Sequence, residues 1–192
     1  MKRIVVLISG GGSNLQALID ACADGRIAGK IVQVLSNQPQ AFGLVRAKRA
    51  DIASDHFGRT GHASRQAYDM ALAHRIAEAG PDLVVLAGWM HILGAAFLDR
   101  CPAKVINLHP ALPGMFPGIE AIERALAAYR RGEITETGVM VHEVIPEVDA
   151  GPVLGTATVP ILPSDDVESL SIRMHAAEHR LLVQVIAKLA AA

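Results

Sequence analysis

Four short, continuously apolar runs set the limits on this fold. RIVVLIS (Arg3 to Ser9), KIVQVLS (Lys30 to Ser36), DLVVLAG (Asp82 to Gly88) and KVINLH (Lys104 to His109) are rich in β-branched residues and lack the alternation of a half-solvated strand. Strands that are apolar on both sides must be covered on both faces, the condition of a parallel sheet packed between helices. Between them, SNLQALIDACADG, AFGLVRAKRA, ASRQAYDMALAHRIAEAG and GAAFLDRC carry helical spacing, and Gly25 and Gly80 follow the first and third as C-terminal stops. This alternation predicts an α/β fold: an open, mostly parallel, Rossmann-like sheet flanked by helices, with functional loops at the carboxyl ends of its strands. A chain of 192 residues, 51% hydrophobic and 19% charged, can build one substantial core, so a single domain spanning residues 1–192 is expected.

The second half changes pattern. TGVMVHEV (Thr137 to Val144) and VLGTATVPI (Val153 to Ile161) have period-two stretches on either side of the turn-rich IPEVDAGP, which predicts an antiparallel portion in the C-terminal half. The last segment opens with Ser164-Asp165 and has Glu168 three residues after Asp165, a cap-like start to one long C-terminal helix. Val167, Leu170, Met174, Ala177, Leu181 and Val185 fall along one face of that helix, with His175 and Glu178 on a neighbouring side that can turn toward a cleft.

Charge and cysteine usage narrow the partners. With 18 basic and 19 acidic residues, a formal net charge of -1 and no block of like charges, nothing supports nucleic-acid or membrane binding by bulk electrostatics. The N-terminal apolar run ends in glycines after about six residues, too short for a signal peptide core or a membrane span. Cys22 and Cys101 are the only cysteines, far apart and in no metal-like spacing, which fits reduced thiols and a cytoplasmic location.

Three groups of residues carry possible chemistry. In LISGGGSNLQ (Leu7 to Gln16), glycines after a strand let backbone N–H groups approach an anion, and a following helix N-terminus favours negative charge. The dinucleotide and P-loop spacings are both absent, and turn chemistry with Ser13 or Asn14 as a helix cap is the competing reading. In NLHP, Asn107 and His109 are two apart and project to the same side of an extended segment, where an amide and an imidazole can meet a developing oxyanion and move protons. A satisfied polar loop would look the same. In EVDAGPV, Asp149 is either a turn-former or the partner of His109, and in the second case its charge would favour the imidazolium and raise the histidine pKa. No Ser or Cys lies near these residues in sequence, and His109, Asp149 and His142 lack zinc-type spacing, so neither a covalent intermediate nor a metal is expected. For Trp89 and Met90 the plain alternative is core packing at a strand end, and for His175 and Glu178 a solvated helical pair.

INLHPALP, followed about forty residues later by VDAGPV, resembles the superfamily of formyltetrahydrofolate-dependent formyltransferases and hydrolases, by a motif pairing of the kind that carries mechanism rather than fold alone. VVLISGGGSNLQALIDA, SNQPQAFGLVRA, DLVVLAGWMHIL and HAAEHRLL extend the resemblance from Lys2 to Ile186. It implies transfer of the formyl group of 10-formyltetrahydrofolate, the co-substrate, to the amine of glycinamide ribonucleotide in purine biosynthesis, without metal. Asn107, His109 and Asp149 match the catalytic set. Gly12, Ser13 and Asn14 match the loop that holds the substrate phosphate, and His175 and Glu178 match contacts to its ribose or glycinamide part. The folate would lie against Trp89, Met90, His91, Ile92 and Leu93, against Ile145, Pro146, Glu147, Val148 and Asp149, and near Asn107 and Arg65. Implied partners are these small molecules, with neither nucleic acid nor membrane, for a monomer or homodimer. A formyltetrahydrofolate hydrolase, or a nucleotide-binding module without catalysis, are the alternatives. The chain departs from the common pattern at Gly11, where many relatives have Asn or Arg, at His91, where relatives often carry Arg, and near Gly114, where a Lys is usual.

Overall fold

A computed structural model of residues 1–192 contains thirteen elements: β1 (Lys2–Ile8), α1 (Ser13–Ala23), β2 (Gly29–Ser36), α2 (Phe42–Arg49), β3 (Ser54–His56), α3 (Arg65–Ala77), β4 (Leu83–Leu86), α4 (Ala95–Leu98), β5 (Lys104–His109), α5 (Ala121–Arg130), β6 (Glu136–Glu143), β7 (Val153–Pro160) and α6 (Val167–Ala191). The strands form one sheet in the order β3-β2-β1-β4-β5-β6-β7. Pairing is parallel from β3 through β5, and β6 and β7 are added antiparallel.

The continuously apolar strands are sandwiched, as their composition requires. In β1, Ile4, Val6 and Ile8 pack with residues of α1, α2, α5 and α6 on one face, while Val5 and Leu7 pack with Tyr68, Leu72 and Ile76 of α3 and Phe97 of α4 on the other. Burying each such aliphatic side chain contributes about 1.5–3 kcal/mol relative to leaving it exposed. Because β2 lies on one side of β1 and β4 on the other, the sheet reverses its direction of growth between β1 and β4. The loops leaving those two strands therefore part, and a crevice opens at their carboxyl ends.

Two elements have no counterpart in the sequence expectations. β3 is three exposed residues paired to β2 at the sheet edge, and α5 follows the glycine- and proline-rich stretch after β5. The cap of α6 also sits one residue later than expected. Asp166 is the N-cap, its carboxylate accepting from the Ser169 N–H while the Ser169 hydroxyl accepts from the Asp166 N–H. Asp165 instead accepts from Leu162 N–H and pairs with Arg173. No helix is long and apolar enough to cross a membrane.

Candidate active site

Two adjoining cavities occupy the carboxyl edge of the sheet. The smaller lies at the β1/β4 crevice and is lined by Ser9 through Asn14 from the loop after β1, together with Ala87, Gly88 and Met90 from the loop after β4. Gly12 is the N-cap of α1 with φ 71, a left-handed conformation that glycine adopts freely, and no side chain caps this helix. The first-turn amides of α1 are thus without an intrahelical partner, beside the crevice.

The larger cavity, about 370 Å³, runs from Asn14 past the end of β5 to an apolar mouth. Its walls include Trp89, Met90, His91, Ile92 and Leu93, the segment Ile145 to Asp149, the pair Asn107 and His109, and His175 and Glu178 of α6. Of the residues predicted for the site, Gly12 and Ser13 line only the smaller cavity and Asn14 lines both. Arg65 lines neither. Its guanidinium donates to the Ile92 carbonyl at 2.8 Å and stands 3.9 Å from Asp69, so it braces the 89–93 segment from behind. Glu178 is not a solvated helical residue: it is buried, and its carboxylate accepts from Asn14 Nδ2 at 2.8 Å. His175 is exposed at the cavity wall.

The strand ends bring the three predicted catalytic residues into contact. His109 Nδ1 lies 3.3 Å from Asp149 Oδ2, with both side chains more than nine-tenths buried. His109 Nε2 faces the Phe116 carbonyl at 3.0 Å. Asn107 Nδ2 donates to Asp149 Oδ1 at 3.2 Å, and the Gly118 N–H donates to Asp149 Oδ2 at 2.8 Å. Asp149 reaches this position with φ 53, and Phe116 and Glu120 beside it also have positive φ. Such non-glycine residues cost about 1–3 kcal/mol each and persist where surrounding contacts hold them. Gly151 permits the approach, because a methyl group there would overlap the Glu143 carbonyl oxygen of β6.

A fourth polar group joins them. His142, 2% exposed, sits directly opposite Asn107 in the antiparallel β5/β6 register. Its Nδ1 donates to the Glu143 carbonyl at 2.8 Å, which leaves Nε2 of the neutral ring to accept from Asn107 Nδ2 at 3.2 Å. Asp149 Oδ1 lies 3.5 Å from the same Nε2. Sequence reasoning gave His142 no role. The available signal was an imidazole on an otherwise apolar strand, meaningful only once β6 is paired with β5.

Burial and charge oppose one another at this cluster. For His109, burial pushes the pKa down, the Asp149 carboxylate and the Phe116 carbonyl push it up, and the net position lies below the ordinary histidine value. The expected influence of Asp149 is present in sign, but desolvation outweighs it. For Asp149, burial pushes up, while the Gly118 amide and the two neighbouring imidazoles hold it below the usual carboxylate range. With His109 neutral, the Gly118 amide and the side-chain donors carry that lowering. His91 is likewise held low, by burial first and then by Arg59 and Arg65. No three His, Cys, Asp or Glu side chains are grouped to hold a metal ion.

A buried imidazole paired with a carboxylate and a primary amide, where a glycine-lined crevice meets a cavity with an apolar mouth, can stabilise a developing oxyanion and move a proton. The formyl transferase family matches residues 2–186. A phosphoribosylglycinamide formyltransferase of Schizosaccharomyces pombe is 47% identical over 97% of this chain and 96% of its own length. Its namesake in Escherichia coli is 43% identical over 96% of this chain and 85% of its own. The crystal structure of glycinamide ribonucleotide transformylase 1 from Symbiobacterium toebii superposes with a TM-score of 0.94 at 42% identity, covering 100% of this chain and 88% of that one. In sequence along nearly its whole length, and in the course of its backbone, this chain belongs to the formyl transferase family.

Proposed function

We propose that this formyltransferase of purine biosynthesis moves the formyl group of 10-formyltetrahydrofolate to the amine of glycinamide ribonucleotide, with residues 1–192 acting as one catalytic unit. The observation that carries the reading is the contact of Asn107, His109 and Asp149 at the junction of the two cavities. The chain suits both substrates. Exposed Met90, Ile92, Ile119 and Val148 ring the mouth and would be covered by a flat pterin. The glycine loop offers backbone amides to a phosphate, and Glu178 and His175 offer polar contacts to the ribose or glycinamide between them.

Held side by side, the two substrates would react by direct attack of the neutral amine on the formyl carbon, and the alignment of reacting atoms supplies much of the acceleration. Asn107 spends both amide protons on Asp149 and His142 in the free protein, and exchanges one of these partners for the formyl oxygen. His109 enters neutral because burial holds its pKa down. As the amine adds and the carbonyl electron pair moves onto that oxygen, the ring takes up the proton that the amine sheds and stabilises the charge together with Asp149. It gives the proton back through water as the bond to the folate nitrogen breaks. Nε2, which bears no proton while the neutral ring donates from Nδ1 to Asp149, turns from the Phe116 carbonyl toward the oxyanion once it is protonated. Asp149 keeps the ring oriented through Nδ1 and holds a water that carries the amine proton to the departing folate nitrogen.

The test is turnover of purified protein with 10-formyltetrahydrofolate, with and without glycinamide ribonucleotide, both products followed by mass. Formylglycinamide ribonucleotide formed only when both substrates are present is the expected result. Formate released without the ribonucleotide would replace this reading with a hydrolase, and no turnover at all would remove it.

A further inference from the structure

Helix α2, from the SNQPQAFGLVRA stretch, lines neither cavity, yet it grips the glycine loop at two consecutive carbonyls. The Gly43 N–H donates to the Gly10 carbonyl at 3.1 Å, and Arg46 Nε donates to the Gly11 carbonyl at 2.8 Å. The same guanidinium reaches Gln16 Oε1 on α1 through Nη1 at 3.2 Å, and it is stacked over the Phe42 ring with 5.0 Å to the centroid. The fork therefore spans the loop and the helix that the loop starts. Contact is close: a methyl on Gly12 would come 2.8 Å from Gly43 Cα, and one on Gly43 would overlap the Ile8 side chain.

In a planar trans peptide the C=O of one residue and the N–H of the next point in opposite directions. Fixing the Gly10 and Gly11 carbonyls on α2 consequently turns the N–H groups of Gly11 and Gly12 away from α2, toward the crevice on the loop's other side. Gly10 and Gly11 are exposed, and a side chain on either would meet nothing, so packing does not set their peptide orientation. The hydrogen bonds from α2 do. We propose that Arg46 is a positioning residue for the acceptor's phosphate, holding the Gly10–Gly12 peptides with their amides presented to it. This rests on the reading of the glycine loop as the phosphate site. Arg46 also adds positive charge nearby, and the variants below separate charge from orientation.

The experiment compares glycinamide ribonucleotide with the riboside lacking the 5′-phosphate, in wild type, Arg46→Met and Arg46→Lys, by steady-state kinetics at saturating folate. Arg46→Met keeps the packed stem and removes every donor. Its KM for the ribonucleotide should rise about tenfold, the scale of a lost charge-assisted hydrogen bond, with kcat and the riboside KM unchanged. Arg46→Lys retains the charge but not the fork and should recover only part of the loss. A general loss of folding would instead lower turnover with both acceptors equally and leave their KM ratio intact. An unchanged KM ratio in Arg46→Met, or a wild-type ratio in Arg46→Lys, overturns the positioning role. A wild-type enzyme that does not distinguish ribonucleotide from riboside overturns the phosphate reading itself, a result visible before any variant is made.

Discussion

The two halves of this sheet build their parts of the site from different material. From β1 to β4 the strands are parallel, and what reaches the cavity edge is mostly backbone: the Ser9–Asn14 loop and the Ala87–Gly88 turn. From β5 to β7 the pairing turns antiparallel, and what reaches the cavity is a packed set of polar side chains, Asn107, His109, His142 and Asp149. Backbone amides come with the fold and can bind an anion without burying any ionisable group. Side chains that do proton chemistry must be desolvated, and each needs a partner to offset that cost. The antiparallel half supplies the partners: register sets His142 opposite Asn107, and the loop joining β6 to β7 brings Asp149 to His109 and Asn107.

Substitutions in the two halves should separate accordingly. The largest effect is expected in the antiparallel half. His109→Ala and Asp149→Ala should each lower kcat by about a thousandfold, within the range of lost acid–base and oxyanion stabilisation, while calorimetry finds ribonucleotide affinity nearly unchanged. Near-wild-type turnover in His109→Ala would dissolve the distinction between the halves. Next comes Gly12→Ala in the parallel half, which meets the Gly43 backbone in a left-handed conformation. There the damage should fall on the ribonucleotide KM, by about tenfold or more, together with about 1–2 kcal/mol of stability from forcing a Cβ into that conformation; kcat at saturation should hold.

The smallest effect sharpens the contrast through pH. His109 has its pKa depressed in the folded protein by burial, so on acidification below the ordinary histidine value of about 6.5 the unfolded chain takes up a proton that the native ring resists. Stability should therefore fall as pH drops through that window, with a further fall at lower pH as Asp149, also depressed, is protonated. Denaturant melts between neutral and mildly acid pH should show a shallower decline for His109→Asn than for wild type. An identical slope would mean that the ring does not carry this linkage.

Much of the framework could be read from residue order because it rests on hydrophobic pattern. The four apolar runs became β1, β2, β4 and β5, the last with the expected ends Lys104 and His109. β3 left no such trace: its Ser54, Asp55 and His56 are all exposed, and only pairing with β2 makes them a strand. α5 has helical spacing, but its buried positions are mainly alanines, Ala121, Ala125 and Ala128. That gives little contrast after a loop rich in glycine and proline. Asn107, His109 and Asp149 could be picked out by residue type and motif, whereas His142 depends on register and the direction of the His109 pKa on burial. Both are properties of the assembled sheet.

The hydrogen bond between Asn14 and Glu178 spans 164 residues of chain. It joins α1 to α6, so the wall where the acceptor's sugar would rest combines segments far apart in sequence. A nascent chain can pair β1 with β2 and shape the glycine loop long before α6 exists. It cannot close that wall until Glu178 has been made and α6 has docked, so the wall is completed late in the assembly of this fold.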